Sequence, residues 1–335
     1  LKALVTGANG FVGAHLCRFL AEKGVSVYAM VRKTSKMDLF NDLNPIPTKI
    51  TIVYGDITDM ESLKTHCRDK DVIFNLAGVI MGFRQADYDR VNVQGYINVC
   101  EAVLEVNPTI KRVIMTSSVA AGGPTRIDQP FCEEDTLNPL VDDCYGQSKC
   151  RMESAIAPYR TKLPLVIVRP PSVFGPGDIP SFDLYKLAKK GRKFVLGKNP
   201  KYHSIVSVED LCQGLNLCAE HPKAVGETFY FTSEEKIEWG EISAIIGEVL
   251  FNKDKQKMKF LNIPPKLGLF GAQMLETLGK IRNKPPFLTK GKILEGIAPA
   301  WVVSRKKAET LLGWKPEDDI VSTVKRAGEW YKVHG

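Results

Sequence analysis

The chain has no run of about eighteen apolar residues, the length a membrane-spanning helix requires, so no transmembrane span is expected. It also lacks any Cys-x-x-Cys pair: its cysteines, at 17, 67, 100, 132, 144, 150, 212 and 218, are scattered through apparent helices and loops. That pattern suits reduced thiols rather than a disulfide framework. No metal site is expected. There is no internal repeat and no low-complexity tract. No charged leader with an apolar stretch and a small-residue cleavage site stands before the first strand-like run, Ala3-Leu4-Val5, and the expected location is the cytoplasm.

What is there is an ordinary globular composition, 44% hydrophobic and 25% charged over 335 residues, enough for a large domain with a smaller one. The net charge of +8 is uneven, since residues 252–307 hold thirteen Lys and Arg against three acids while the remainder is slightly acidic. A solvated face is the ordinary reading of such a run. An anionic substrate tail or a weak peripheral contact with an acidic membrane are the functional ones. Nucleic acid is not expected, because no binding motif accompanies the charge. Leu267, Leu269, Phe270, Met274 and Leu278 form an apolar stripe there, read first as a core-packing helix.

Through the first half, β-branched apolar runs near 2–6, 25–31, 50–55, 71–75, 111–116 and 164–169 alternate with amphipathic segments near 11–23, 59–69, 87–106 and 143–159. Strands apolar on both faces imply a parallel sheet covered on both sides. The fold class is α/β, a Rossmann-type doubly wound parallel sheet with a smaller, mixed C-terminal substrate domain. The expected division is 1–170 for the dinucleotide-binding domain and 171–335 for the mostly substrate-binding one. Helices are read near 181–191, 208–220, 239–251 and 264–282, with a return to the sheet near 227–231.

Between the first strand and first helix lies Thr6-Gly7-Ala8-Asn9-Gly10-Phe11-Val12-Gly13. A Gly-rich turn at that place lets backbone N–H groups and the positive helix end meet a pyrophosphate. Gly7, Gly10 and Gly13 suit the tight turn, the close approach and the helix packing. The second strand ends in Val31-Arg32-Lys33, with no acid for a ribose 2′-hydroxyl. Arg32 can instead grip a 2′-phosphate, so NADP(H) is preferred over NAD(H).

Tyr145 and Lys149 stand four residues apart on one helix face, after the strand that ends in Thr116-Ser117-Ser118. A carbonyl accepting a hydride needs a proton donor, and a phenol needs its pKa lowered to serve near neutrality. The expectation is Tyr145 as acid/base, Lys149 as the cation that lowers its pKa, and Ser118 as the group that orients the carbonyl.

With these residues in place the chain resembles the extended short-chain dehydrogenase/reductase family over essentially its whole length. Gly55-Asp56-Ile57, Asn75-Leu76-Ala77-Gly78, Asn92-Val93-Gln94-Gly95, Arg169-Pro170-Pro171-Ser172-Val173-Phe174-Gly175 and Leu312-Gly313-Trp314 follow in the family's order. The resemblance implies that Asn9, Phe11 and Val12 belong to the cofactor loop, that Asp56 and Ile57 contact the adenine, and that Ala77 and Gly78 line the cleft. It also implies that Pro171, Ser172 and Val173 lie against the nicotinamide. The stretch Tyr202-His203-Ser204-Ile205-Val206-Ser207 lacks the arginines with which sugar-nucleotide members hold a diphosphate. It resembles more the dihydroflavonol-reductase and 3β-hydroxysteroid-dehydrogenase branches.

The leading expectation is therefore an NADP-dependent oxidoreductase that interconverts a small-molecule ketone or aldehyde with its alcohol. Met81, Phe83, Phe174 and His203 are candidate substrate-wall residues. A nucleotide-sugar epimerase or dehydratase is the alternative, and a non-catalytic NADP sensor the third reading. A homodimer stays open.

Overall fold

The computed structural model describes residues 1–43, 49–286 and 288–334. Six strands follow the sequence expectation: β1 (Lys2–Thr6), β2 (Ser26–Val31), β3 (Ile50–Tyr54), β4 (Val72–Asn75), β5 (Arg112–Thr116) and β6 (Leu165–Val168). With Thr228–Phe229 they form a seven-stranded sheet in the order Thr228–Phe229, β6, β5, β4, β1, β2, β3, and every pairing is parallel. The order reverses between β1 and β4, and the crevice outside such a switch point is where ligands bind in open α/β sheets.

Alternation along the strands separates the two faces. Ala3 and Val5 join the core on one side, and Leu4 joins that on the other. The first core is covered by helix α1 (Phe11–Glu22), which turns Ala14, Cys17, Leu20 and Ala21 inward at steps of three and four. The opposite face is covered by Met60–Cys67, Gly95–Val106 and Cys144–Ile156. The second half of the chain also enters the first core. Leu211, Cys212, Leu215 and Cys218 of helix Val208–Glu220 lie in it, as do Leu312 and the fully buried Trp314.

The helix expected near 87–106 is three pieces: Gln85–Asp89, a π-helical turn at Arg90–Gln94, and Gly95–Val106. Such wide turns break the regular ladder and recur at functional sites.

The smaller part holds strands that sequence periodicity does not show. Tyr202–Ser207 pairs in parallel with Ser172–Phe174 and Ala300–Trp301, and antiparallel with Glu234–Glu238. Arg192–Leu196 and Lys259–Ile263 form a separate parallel pair. Phe174, Tyr185, Ile205, Ile242, Ile246 and Val324 share the core beneath. Among the described residues no helix is long and apolar enough to cross a membrane.

Candidate active site

At the C-terminal edge of the sheet, Gly7, Asn9, Gly10, Arg32, Asp56, Ile57, Ala77 and Gly78 line one cleft of about 250 Å³. Its shape depends on missing side chains. Gly7 has φ +65°, and a Cβ on it would lie 2.8 Å from the Ala77 backbone; one on Gly13 would lie 2.2 Å from the Gly7 carbonyl. Either would push the loop off the sheet. Thr6 Oγ1 donates to Asn75 Oδ1 at 2.5 Å and accepts from Ala77 N–H at 3.1 Å, which ties the ends of β1 and β4 together.

Helix α1 begins after Gly10 with no side-chain cap and no acid in its first turn. Its leading N–H groups are thus left for an anion. Phe11 and Val12 open this helix and pack, with Val173, against the first core. Arg32 and Ser35 share the cleft wall, the Ser35 Oγ accepting from Arg32 N–H at 3.2 Å. Asp56 turns its Oδ1 to Thr58, accepting from both the N–H and the hydroxyl at 2.8 Å. Arg90, from the π-helical turn, also lines the cleft. Sequence reasoning missed it, because the turn that presents it leaves no local pattern.

Asp143 caps helix Cys144–Ile156 by accepting from Tyr145 and Gly146 N–H at 3.1 and 2.9 Å. That sets the start of the helix, and with it Tyr145 and Lys149. Ser118 is itself a cap: its Oγ accepts from Ala120 N–H at 3.2 Å, and it lies near enough to the Tyr145 phenol to favour the ionised form. The Lys149 ammonium is buried beneath, donating to Thr116 O at 2.7 Å and to Tyr96 Oη at 3.0 Å. A Cβ on Gly78 would lie 3.7 Å from Lys149 Nζ, so the ammonium borders the cleft. Burial pushes its pKa down to about 7, with Glu153 opposing. Thr116 Oγ1 and Ser117 Oγ are buried without a hydrogen-bond partner among the described residues. Asn92, fully buried in the π-helical turn, bonds Val79 N–H, Val79 O and Ser148 Oγ at 2.9 Å and is a brace.

The expectation that Lys149 brings Tyr145 down toward neutrality needs correcting. Burial raises the Tyr145 pKa, and the largest opposing influences are the charge of Lys292 and then Ser118. Lys292 Nζ stands 5.3 Å from the Tyr145 ring centroid, on helix Lys290–Ile297. It pairs with Glu295 at 2.8 Å. Burial works against its charge, but Glu295 and Asp143 hold it protonated and its pKa rises. Asp143 in turn is pushed up to about 7, by burial and then by Glu295. No sequence signal near Tyr145 points to Lys292, which lies far along the chain.

Pro171, Ser172 and Val173 form a strap whose neighbour Gly175 approaches Phe11, where a Cβ would meet the ring at 3.4 Å. Met81 is exposed. Phe83 lies beside Gly279. The structure puts Phe174 not in a pocket wall but in the core, 1% exposed and with its ring 6.2 Å from that of Trp239. His203 also packs on Trp239, at 4.6 Å, and burial pushes its pKa down to about 4. Among the described residues no group of three His, Cys, Asp or Glu side chains could hold a metal.

Residues 3–230 match the model of the NAD dependent epimerase/dehydratase family. The chain is 24% identical to the ceramide reductase of Caulobacter vibrioides, covering 99% of this chain and 94% of that protein. It is 26% identical to the decarboxylating sterol-4-alpha-carboxylate 3-dehydrogenase of Candida albicans, covering 98% and 97%. Its fold matches the crystal structure of UDP-glucose 4-epimerase from Thermotoga maritima with a TM-score of 0.78 at 18% identity, covering 100% of this chain and 99% of that one.

Proposed function

We propose that this chain, which belongs to the NAD dependent epimerase/dehydratase family and is an extended short-chain dehydrogenase/reductase enzyme, uses NADP(H) to interconvert an apolar ketone or aldehyde with its alcohol. The observation that carries this reading is that Ser118 comes together with the phenol of Tyr145, on the helix that also holds buried Lys149, whose ammonium borders the dinucleotide cleft at Gly78. A sensor of cofactor ratio has no use for that trio.

The cleft fits a nicotinamide dinucleotide on its own geometry. The glycine cradle and the uncapped start of α1 suit a pyrophosphate. Arg32, free of any carboxylate partner among the described residues, suits a 2′-phosphate. The orphaned Thr116 and Ser117 hydroxyls and the Lys149 ammonium suit the polar groups of the nicotinamide half. When bound in its reduced form, the nicotinamide supplies the hydride that the carbonyl carbon takes up.

The protein's own part is the proton. With its pKa raised by burial, Tyr145 is a neutral phenol near pH 7, the form that can donate to a carbonyl oxygen as it gains charge. Ser118 orients that oxygen. In the reverse direction the ionised Tyr145, favoured by the positive charge of Lys292 and by Ser118, takes the alcohol proton. The strand Tyr202–Ser207 presents no arginine for a sugar diphosphate. Together with relatives named for a ceramide and a sterol, that supports an apolar substrate.

The test is NADPH absorbance in the presence of long-chain and sterol ketones, with Tyr145→Phe beside the wild type. One NADPH consumed per carbonyl is expected, and the variant should lose about 10²- to 10⁴-fold in turnover while its NADPH affinity is unchanged. Wild-type turnover in the variant overturns the role of Tyr145. Interconversion of UDP-hexoses with no NADPH consumed replaces the reductase by an epimerase.

A further inference from the structure

Helix Pro265–Ile281 rests on the protein through Leu269 and its smallest residues. Gly268, Ala272 and Gly279 are buried, and a Cβ on Gly268 would already meet Ile293 at 3.4 Å. Of its large apolar side chains Leu269 packs inward against the cluster of Leu196, Ala272 and Ile293, whereas Leu267, Phe270, Met274, Leu275, Leu278 and Ile281 are exposed, Phe270 by 63% and Ile281 by 77%. Steps of three and four residues set them along one side. A helix that packed for stability alone would do the reverse.

The surroundings are basic. Lys266, Lys280, Arg282 and Lys284 are exposed, and among the described residues none has a carboxylate partner. Glu276, the helix's one acid, accepts from Lys290 N–H at 2.7 Å. An apolar ridge flanked by unpaired cations fits a surface that offers hydrocarbon and negative charge together, which is an anionic bilayer interface. A second copy meeting this one about a two-fold axis would set the same cations against one another.

The ridge is also the roof of the site. A Cβ on Gly279 would lie 3.5 Å from the Phe83 ring. Helix Pro265–Ile281 packs on helix Lys290–Ile297, where a Cβ on Gly291 would lie 3.0 Å from Asp142 O and Lys292 stands over Tyr145. We propose that this face docks on an anionic lipid surface, with the helix lying in the plane of the interface. The docking stands apart from the hydride-transfer reading. Only its consequence rests on that reading: the carbonyl substrate is then an amphiphile reached from the bilayer.

The experiment is sedimentation of the full chain with vesicles of phosphatidylcholine alone, or mixed with phosphatidylglycerol, at low and high salt and without substrate. Binding to the mixed vesicles, weakened by salt, is expected, with little to phosphatidylcholine. Each basic side chain near such a surface is worth about fivefold, so Lys280→Glu with Arg282→Glu should lose about 25-fold or more. Phe270→Glu with Leu278→Glu should lose binding as well. Both variants should still bind NADPH, read by its fluorescence, which shows that they fold. Absence of wild-type binding, or equal binding by the variants, overturns the proposal. A dimer that Phe270→Glu with Leu278→Glu splits, with no vesicle binding, assigns the face to a second copy.

Discussion

Two lysines stand near Tyr145, and they are held in different ways. Lys149 is buried and fixed by two short bonds, to the Thr116 carbonyl and the Tyr96 phenol. Its helix is anchored in turn by Glu153, which forms a buried fork with Arg169 through bonds of 2.8 and 2.9 Å. Lys292 arrives from a helix seated on one small apolar cluster through Ile293, with the rest of its footing ionic and partly wet. Lys290 pairs with Asp142 at 2.9 Å, and Lys292 with Glu295, both side chains about a quarter exposed. A hydrogen-bonded ammonium in a dry site cannot leave without abandoning its partners. A charge on a roof held by surface pairs can. The contrast suggests a division of labour: the sheet edge fixes the geometry of the reaction, and the roof sets its electrostatics and access.

The largest expected difference is in stability. Glu153→Ala leaves the Arg169 guanidinium buried against only the Glu133 carbonyl and Tyr230 hydroxyl. Removing one partner of a buried pair costs about 3–5 kcal/mol. Glu295→Gln, which breaks the roof pair, should cost about 1 kcal/mol or less. Urea unfolding followed by circular dichroism compares the two. Equal losses would mean that the roof is as much a part of the core as the sheet edge.

How much of this was legible in the sequence follows the same division. The six long strands, the glycine loop and the Tyr145–Lys149 spacing are local patterns, because a parallel strand must be apolar on both faces and a pyrophosphate cradle must lack side chains. The smaller sheets are not local. Glu234–Glu238 reads Glu-Glu-Lys-Ile-Glu and Lys259–Ile263 is half exposed, so both are strands only because a distant partner supplies the ladder. Phe174 is a candidate wall residue from the sequence, yet the pairing of Ser172–Phe174 with Tyr202–Ser207 turns it inward. Four-residue spacing places Lys149 and Tyr145 on one helix face and so points to Lys149 as the charge that acts on the phenol. Spacing fixes where a side chain leaves the helix, and the Thr116 carbonyl decides where an ammonium of that length ends.

The next effect belongs to the sheet side, at the far end of the cleft. Arg32→Ala should cut the preference for NADPH over NADPH's unphosphorylated counterpart by about 10- to 150-fold, the worth of a charge-assisted hydrogen bond to a 2′-phosphate. The measurement is the ratio of kcat/KM for the two cofactors. An unchanged ratio would pass the role to another cation of the cleft, of which Arg90 is the candidate on the opposite wall.

The smallest expected effect bears on the roof. If Lys292 acts on Tyr145 through space, Lys292→Met should raise the phenol pKa further, because the variant removes a positive charge near 5 Å from the ring. The sign separates the two directions of reaction. Burial already keeps Tyr145 protonated at neutral pH, so donation to a carbonyl needs no ionisation and the rate of reduction should change little. Alcohol oxidation needs the phenolate, and its rising limb should move to higher pH in the variant. Lys292→Arg, which keeps the charge, should restore the limb. Ultraviolet difference titration against Tyr145→Phe reads the same ionisation without any substrate. An unmoved limb in Lys292→Met, with an unmoved titration, would leave Lys292 a packing residue and return the whole electrostatic burden to Lys149.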